Sequence, residues 1–267
     1  MNTVIRSREN PLVKRIVRLS EQARFRRDEM TGLAEGWHLI RAIIDSPGFG
    51  SKALRMVAIS EAVLAHRDTL EVRSFLGSVP IQVVDARVFE RFGESEGPNA
   101  AIGLFTLPGD LDAPELVSQG GLQLWLDAVQ DPGNVGTLIR TAAAAGATAV
   151  VLGRGCADAW SPRVLRAGMG GHFVLRVATS PLDARLRESF PGQVLATERD
   201  GGASLYEMHL PENAAFLLGN EGAGLSEAVT SLAHSRVTIP TSGRVESLNV
   251  AAAGAVICFE VLRRKLA

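Results

Sequence analysis

From Leu122 onward the chain repeats one pattern. A short apolar run able to form a buried strand leads into a polar segment rich in glycine, asparagine or proline, and a helix-like run follows. LQLWLDAV leads into DPGNVGTLIRTA, AAFLL into GNEGAGLS, and RVTI into PTSGRVESLNVAAAGAV. Apolar strands alternating with helices predict a parallel sheet, whose loops at the strand ends are the usual place for ligands. Residues 147–152, FVLRVA and QVLATE read as further strands. Helices are expected over 134–145, from near Pro162, in GLSEAVTSLAH and after Ser180-Pro181, where Ser180 suits an N-cap and proline the first turn.

The first part of the chain has its own alternation. TGLAEG, LRMVAIS, IQVVD and AAIGLFTL read as strands, and Pro11 to Arg27, WHLIRAIID, TLEVRSFLG and ARVFERF as helices. This predicts a small α/β domain over residues 1–107. PGDLDAPELVSQGG, with its prolines and glycines, predicts a linker over 108–120, and 121–267 forms the second domain.

Composition narrows the class. Hydrophobic residues make up 46% and charged residues 21%, which describes a globular chain rather than a disordered one. No apolar stretch approaches the roughly 18 residues needed to span a bilayer, and the first residues lack the apolar core of a signal peptide. No membrane and a cytoplasmic location are expected. Cys156 and Cys258 are far apart, and His38, His66, His172, His209 and His234 show no ligand spacing, so no metal is expected. The net charge of −1 is uninformative, but Arg6, Arg8, Lys14, Arg15, Arg18, Arg24, Arg26 and Arg27 face only Glu9 and Glu21 over the same stretch. Such a basic face suits a phosphate backbone; a solvated helix face is the plain alternative.

Common nucleotide and hydrolase signatures are missing. GNEGAG is spaced G-x-x-G-x-G, not as a dinucleotide fingerprint, and GRGCAD carries Asp158 where the third glycine belongs. There is no phosphate loop, no H-E-x-x-H and no G-x-S-x-G.

In order, content and placement, the three polar segments resemble the three motifs of the SpoU (TrmH-type) RNA ribose methyltransferases. These belong to the SPOUT class, whose C-terminal domain carries a trefoil knot. The resemblance implies a knotted α/β methyltransferase domain with a parallel sheet. More loosely, through NPLVK and AEG, it implies a preceding ribosomal-protein-like domain that binds RNA. It also implies S-adenosyl-L-methionine as cofactor, a homodimer through the C-terminal domain, and methyl transfer to a ribose 2′-hydroxyl, with rRNA favoured over tRNA. A non-catalytic RNA-binding relative and a base methyltransferase are the alternatives.

Carried over by position, the resemblance puts Gly219, Ile239 and Leu248 at the cofactor and Asn134, Arg140, Glu221, Ser247 and Asn249 in the catalytic site. Arg140 lies six residues after Asn134, so both are expected near one helix start. A guanidinium does not readily lose its proton, which favours gripping phosphate and stabilising charge over acting as a base. The proton acceptor is left open. Ser247 is expected to cap the last helix and Asn249 to lie just inside it, where asparagine is a poor helix former. SPRVLRAGMGGHF resembles a further family segment, in which Arg166 meets either RNA phosphate or a helix-surface carboxylate. Trp37 and Trp160 are candidates for base stacking, and Trp125 for the core.

Overall fold

The structure, a computed structural model, describes residues 4–66, 69–92, 100–109 and 111–266. It divides into two units, Met1–Gly109 with Trp160–Phe173, and Asp110–Ala159 with Val174–Ala267. A stretch from the middle of the expected second domain therefore belongs to the first unit.

The first unit is built on a four-stranded sheet. β1 (Thr31–Glu35) runs antiparallel to β4 (Ala101–Thr106), β4 antiparallel to β2 (Leu54–Ser60), and β2 parallel to β3 (Ile81–Val84). α1 (Pro11–Glu21) starts where Asn10 accepts the Leu12 N–H and Pro11 takes the first turn, and it buries Val13, Ile16 and Leu19 on one face. α2 (Ala23–Asp28) corrects the expected basic face. Arg26 is only 3% exposed and donates to the carbonyls of Leu19 and Ser20 at 2.6 and 3.2 Å, satisfying acceptors at the end of α1. Arg15 pairs with Glu29 and Lys14 with Glu9, while Arg18 lies over the Phe25 ring. α3 (Trp37–Asp45) follows β1, and Trp37 meets Phe75 edge to face. α4 (Glu61–His66) and α5 (Thr69–Leu76) connect β2 to β3, and α6 (Ala86–Phe89) follows β3.

The borrowed segment carries α9 (Pro162–Gly168). It belongs here because its apolar side chains have their partners here. Leu165 and Phe173 are buried in this unit's core, and Trp160 and Phe173 stack edgewise or tilted against Phe49 and Phe105. Arg166 pairs with Glu35 of β1 at 3.4 Å, the ion-pair alternative for that residue.

The second unit holds a seven-stranded parallel sheet in the order β7-β6-β5-β10-β8-β11-β9. Its strands are β5 (Leu122–Leu126), β6 (Ala149–Leu152), β7 (Arg176–Thr179), β8 (Gln193–Thr197), β9 (Ala203–Ser204), β10 (Ala214–Leu218) and β11 (Ser235–Thr238). β5, β6 and β10 are buried residue by residue, as strands covered on both faces must be. Trp125 is fully buried, its indole N–H donating to Gln123 at 3.0 Å.

Three local expectations are corrected by side-chain chemistry. The 108–120 stretch contains α7 (Ala113–Val117), whose Ala113, Leu116 and Val117 are buried; three apolar residues within one turn outweighed the flanking breakers. The helix after Pro181, α10 (Ala184–Ser189), starts later than Ser180 implies because Asp183 is its cap, accepting the Leu186 N–H at 3.0 Å. α11 is only Glu227–Thr230, capped by Ser226.

Two helices complete the frame. α8 (Pro132–Ala144) leaves β5 and α12 (Val250–Leu266) follows β11. They pack on each other at Gly254, where an added Cβ would overlap Leu138, so the glycine in the AAAGA run serves close helix packing within the chain. Because all seven strands are parallel, the three polar motif loops leave the same, carboxyl edge of the sheet.

Candidate active site

The first motif loop begins with two unusual residues. Asp127 follows the last apolar residue of β5 and is only 8% exposed. Ala128 adopts φ 53°, the left-handed region a side chain rarely occupies. Asp131 then accepts the Asn134 N–H at 2.8 Å and Pro132 enters the first turn, which together start α8 and present the Asn134 side chain at its head.

Asn134 joins the three motifs. Its amide donates to Glu221 Oε1 of the second motif at 2.7 Å. Its Oδ1 accepts from the Asn249 amide of the third at 3.1 Å. Asn249 Oδ1 in turn accepts the N–H groups of Ala251 and Ala252 at 2.9 and 3.2 Å, so Asn249, not Ser247, is the cap of α12. The position expected to be an ill-placed helical asparagine is thus a favoured cap that also has an amide left for the network.

The second motif loop is folded on itself. Asn220 and Gly224 exchange backbone hydrogen bonds of 3.0 and 2.9 Å, and Asn220 Oδ1 accepts from Gly222 and Ala223. Its amide reaches back to the Ala128 carbonyl at 2.9 Å. A Cβ on Gly219 would overlap the backbone of Gly224 and Leu225. The glycine is therefore required by the turn itself, whatever ligand its bare backbone also admits.

Beside this network lies a cleft of about 880 Å³, lined by Thr197, Leu218, Gly219, Glu221, Ile239 and Leu248 among others, with Ser247 also on its wall. Its size suits a small organic ligand. The Thr197 hydroxyl is buried and has no hydrogen-bond partner among the described residues, an unmet polar group of the kind a bound ligand satisfies. Apolar side chains at Leu218, Ile239 and Leu248, main-chain groups at the Gly219 turn and charged residues of both signs, Glu198 and Asp200 beside Arg199 and Arg244, give the cleft the mixed chemistry that a nucleoside-sized ligand needs.

Arg140 stands apart. It is exposed on α8, and its guanidinium has no hydrogen bond or ion pair with a described residue. Six residues along a helix amount to about 9 Å and about 120° of rotation from Asn134, so the two do not share one face. Asp127, Asn220 and Thr197 are the site residues that sequence reasoning did not assign. The one visible signal was a carboxylate set directly after LQLWL, where a buried strand has no use for it.

A parallel α/β sheet whose carboxyl edge gathers three polar loops around a ligand-sized cleft defines a class of α/β proteins that bind small molecules at the strand ends. Residues 121–259 match the model of the SpoU rRNA Methylase family. The chain is 33% identical over 233 residues to the 23S rRNA (guanosine(2553)-2'-O)-methyltransferase RlmP of Bacillus subtilis, over 86% of this chain and 88% of that one. It is 32% identical over 221 residues to the 23S rRNA (guanosine-2'-O-)-methyltransferase RlmB of Xanthomonas campestris, over 81% of this chain and 86% of that one. Among solved structures, the AdoMet-bound rRNA methyltransferase from Sinorhizobium meliloti superposes with a TM-score of 0.81 at 28% identity, covering 99% of this chain and 98% of that one. The chain belongs to the SpoU family of RNA methylases.

Proposed function

We propose that this protein transfers a methyl group from S-adenosyl-L-methionine to a ribose 2′-hydroxyl of structured RNA, rRNA in preference to tRNA. The observation that carries the reading is the Asn134–Glu221–Asn249 network, which ties all three motif loops together on the rim of the cleft. The curated relatives RlmP and RlmB, both named as 23S rRNA 2′-O-methyltransferases, support the same atom and the same class of RNA.

Gly219, Ile239 and Leu248 hold the cofactor in this reading, whose sulfonium supplies an activated methyl and a good leaving group. The chain's own work is alignment. Asn134, Glu221 and Asn249 fix one another, and with Ser247 they orient the ribose. Arg140, exposed on the surface of α8, takes the adjacent phosphate and stabilises the developing alkoxide. The first unit selects the RNA.

A homodimer completes the proposal. α12 leaves Phe259 and Leu266 exposed at 49% and 79%, two apolar side chains seven residues apart that a second copy would cover. The reading includes a trefoil knot in the second unit and a cytoplasmic location. The test is methyl transfer from labelled S-adenosylmethionine to total RNA from cells lacking the gene, followed by nuclease mapping. Label at a 2′-oxygen supports the reading. Label on a base, or cofactor binding without transfer, overturns it.

A further inference from the structure

We propose that Asp127 is a positioning residue for this reaction, acting through Ser226 on the glycine-rich loop; the inference rests on the methyltransferase reading above. The carboxylate is nearly buried at the carboxyl end of β5. Its Oδ2 accepts both the Ser226 N–H at 2.9 Å and the Ser226 hydroxyl at 2.8 Å, across 99 residues of sequence. Two donors on one charged oxygen make a strong and directional clamp.

The clamp closes the far end of the loop that runs from Gly219 to Leu225. Its near end is held by the neighbouring residue, since Ala128 turns into the left-handed region and its carbonyl accepts the Asn220 amide at 2.9 Å. Strained backbone persists where the surroundings over-determine it, and here it aims an acceptor at the second motif. Two consecutive residues between β5 and the first motif thus grip both ends of the second. Between the two grips lies Glu221, which receives the Asn134 amide, and Gly219 on the cleft immediately precedes the first grip. Ser226 also caps α11, so releasing it frees the loop and the helix that follows.

A group that only stabilises the fold would lower the melting temperature and leave the kinetics of the folded enzyme alone. A positioning group changes the loop's readouts even when the protein is fully folded. Asp127→Ala, assayed well below its melting temperature, is expected to weaken S-adenosylmethionine binding by calorimetry and lower kcat, each by roughly tenfold, as for loss of a charge-assisted hydrogen bond. Asp127→Asn keeps an oxygen acceptor of the same shape and is expected to recover most of both. Ser226→Ala retains the carboxylate and the backbone bond and is expected to show a smaller loss in the same direction. It serves as the test if Asp127→Ala does not fold. Cofactor affinity and kcat within twofold of wild type in folded Asp127→Ala, or in Ser226→Ala where the former does not fold, overturn the proposal. A wild-type protein that binds no S-adenosylmethionine defeats the methyltransferase reading instead.

Discussion

The Asn249 amide donates to Asn134 Oδ1 at 3.1 Å while its own oxygen caps α12, so one side chain starts a helix and closes the network that joins the three motif loops. The two duties use different atoms and can be separated. Asn249→Asp keeps the acceptor for the cap and removes the donor. It is expected to hold the melting temperature and lose most turnover. Asn249→Ala removes both and is expected to cost about 1 kcal/mol of stability as well. Thermal unfolding paired with methyl-transfer rates checks this; equal activity in wild type and Asn249→Asp would remove the amide from the site.

Glycines in the second motif are not equivalent. Gly219→Ala places a methyl group on the backbone of Gly224 and Leu225, and the loop cannot give way without losing the Asn220–Gly224 exchange. Loss of cofactor binding together with a lowered melting temperature is expected. At Gly222 the nearest atom to an added Cβ is Asn220 Oδ1 at 3.6 Å, an ordinary separation, so Gly222→Ala is expected to keep the turn and its melting temperature, and any loss of binding there reports contact with the ligand in the cleft. Thermal unfolding and calorimetric titration of both variants with S-adenosylmethionine separate the two cases.

In the first unit the basic residues divide the same way. Arg26→Ala empties a buried site and leaves the Leu19 and Ser20 carbonyls without their donor, so it is expected to destabilise by about 1–3 kcal/mol. Arg24 and Arg27 are exposed, Arg24 only loosely paired with Asp28 at 3.7 Å. Neutralising those two is expected to leave stability alone, weaken RNA binding, and flatten its salt dependence by about 0.7–0.9 for each RNA phosphate that an arginine had neutralised. An unchanged salt slope would assign the RNA surface elsewhere.

The sequence was most readable where one physical signal dominated. Buried runs such as LQLWL and AAFLL have no stable home except an interior strand, and three polar segments behind such runs pointed to the loops that now surround the cleft. Caps were read less well. Ser and Asn both cap helices, and only the fold shows that Asn249 rather than Ser247 stands where the α12 N–H groups point. The allegiance of Trp160–Phe173 was invisible, because apolar residues announce burial but not the core that receives them. That allegiance also bears on dissection: a fragment beginning near Val117 would expose Leu165 and Phe173, so unit-specific roles are better tested by point variants in the whole chain.

Acid sensitivity is expected at the end of α12. Glu260 accepts from Arg263 at 2.8 and 2.9 Å and from Arg264 at 2.7 Å, and Arg264 also donates to the Leu205 and Met208 carbonyls. The hydrogen bonds from Arg263 and Arg264 hold the carboxyl down at about 2, from an ordinary 4.5. A depressed carboxylate contributes stability that is complete above its unfolded value and fades as pH falls toward the folded one. The stability difference between wild type and Glu260→Gln is therefore expected to be constant near neutrality and to shrink between about pH 4.5 and 2. Urea unfolding across that range checks it; a difference that grows on acidification would contradict the assignment.

Arg140 carries the sharpest test of the catalytic reading. Being exposed and unpaired among the described residues, it has little structural work to lose, so Arg140→Ala is expected to keep its melting temperature and its affinity for S-adenosylmethionine. Turnover is expected to fall on the order of 100-fold or more, the usual loss when a preorganised charge-stabilising group is removed. Arg140→Lys is expected to fail as well, because an ammonium cannot reproduce the planar fork that grips phosphate and ribose together. Both variants are measured at saturating RNA and cofactor, so that a change in kcat is not mistaken for weaker RNA binding. A rate for Arg140→Ala within a few-fold of wild type would falsify the assignment and leave the chemistry to the Asn134, Glu221, Ser247 and Asn249 side chains.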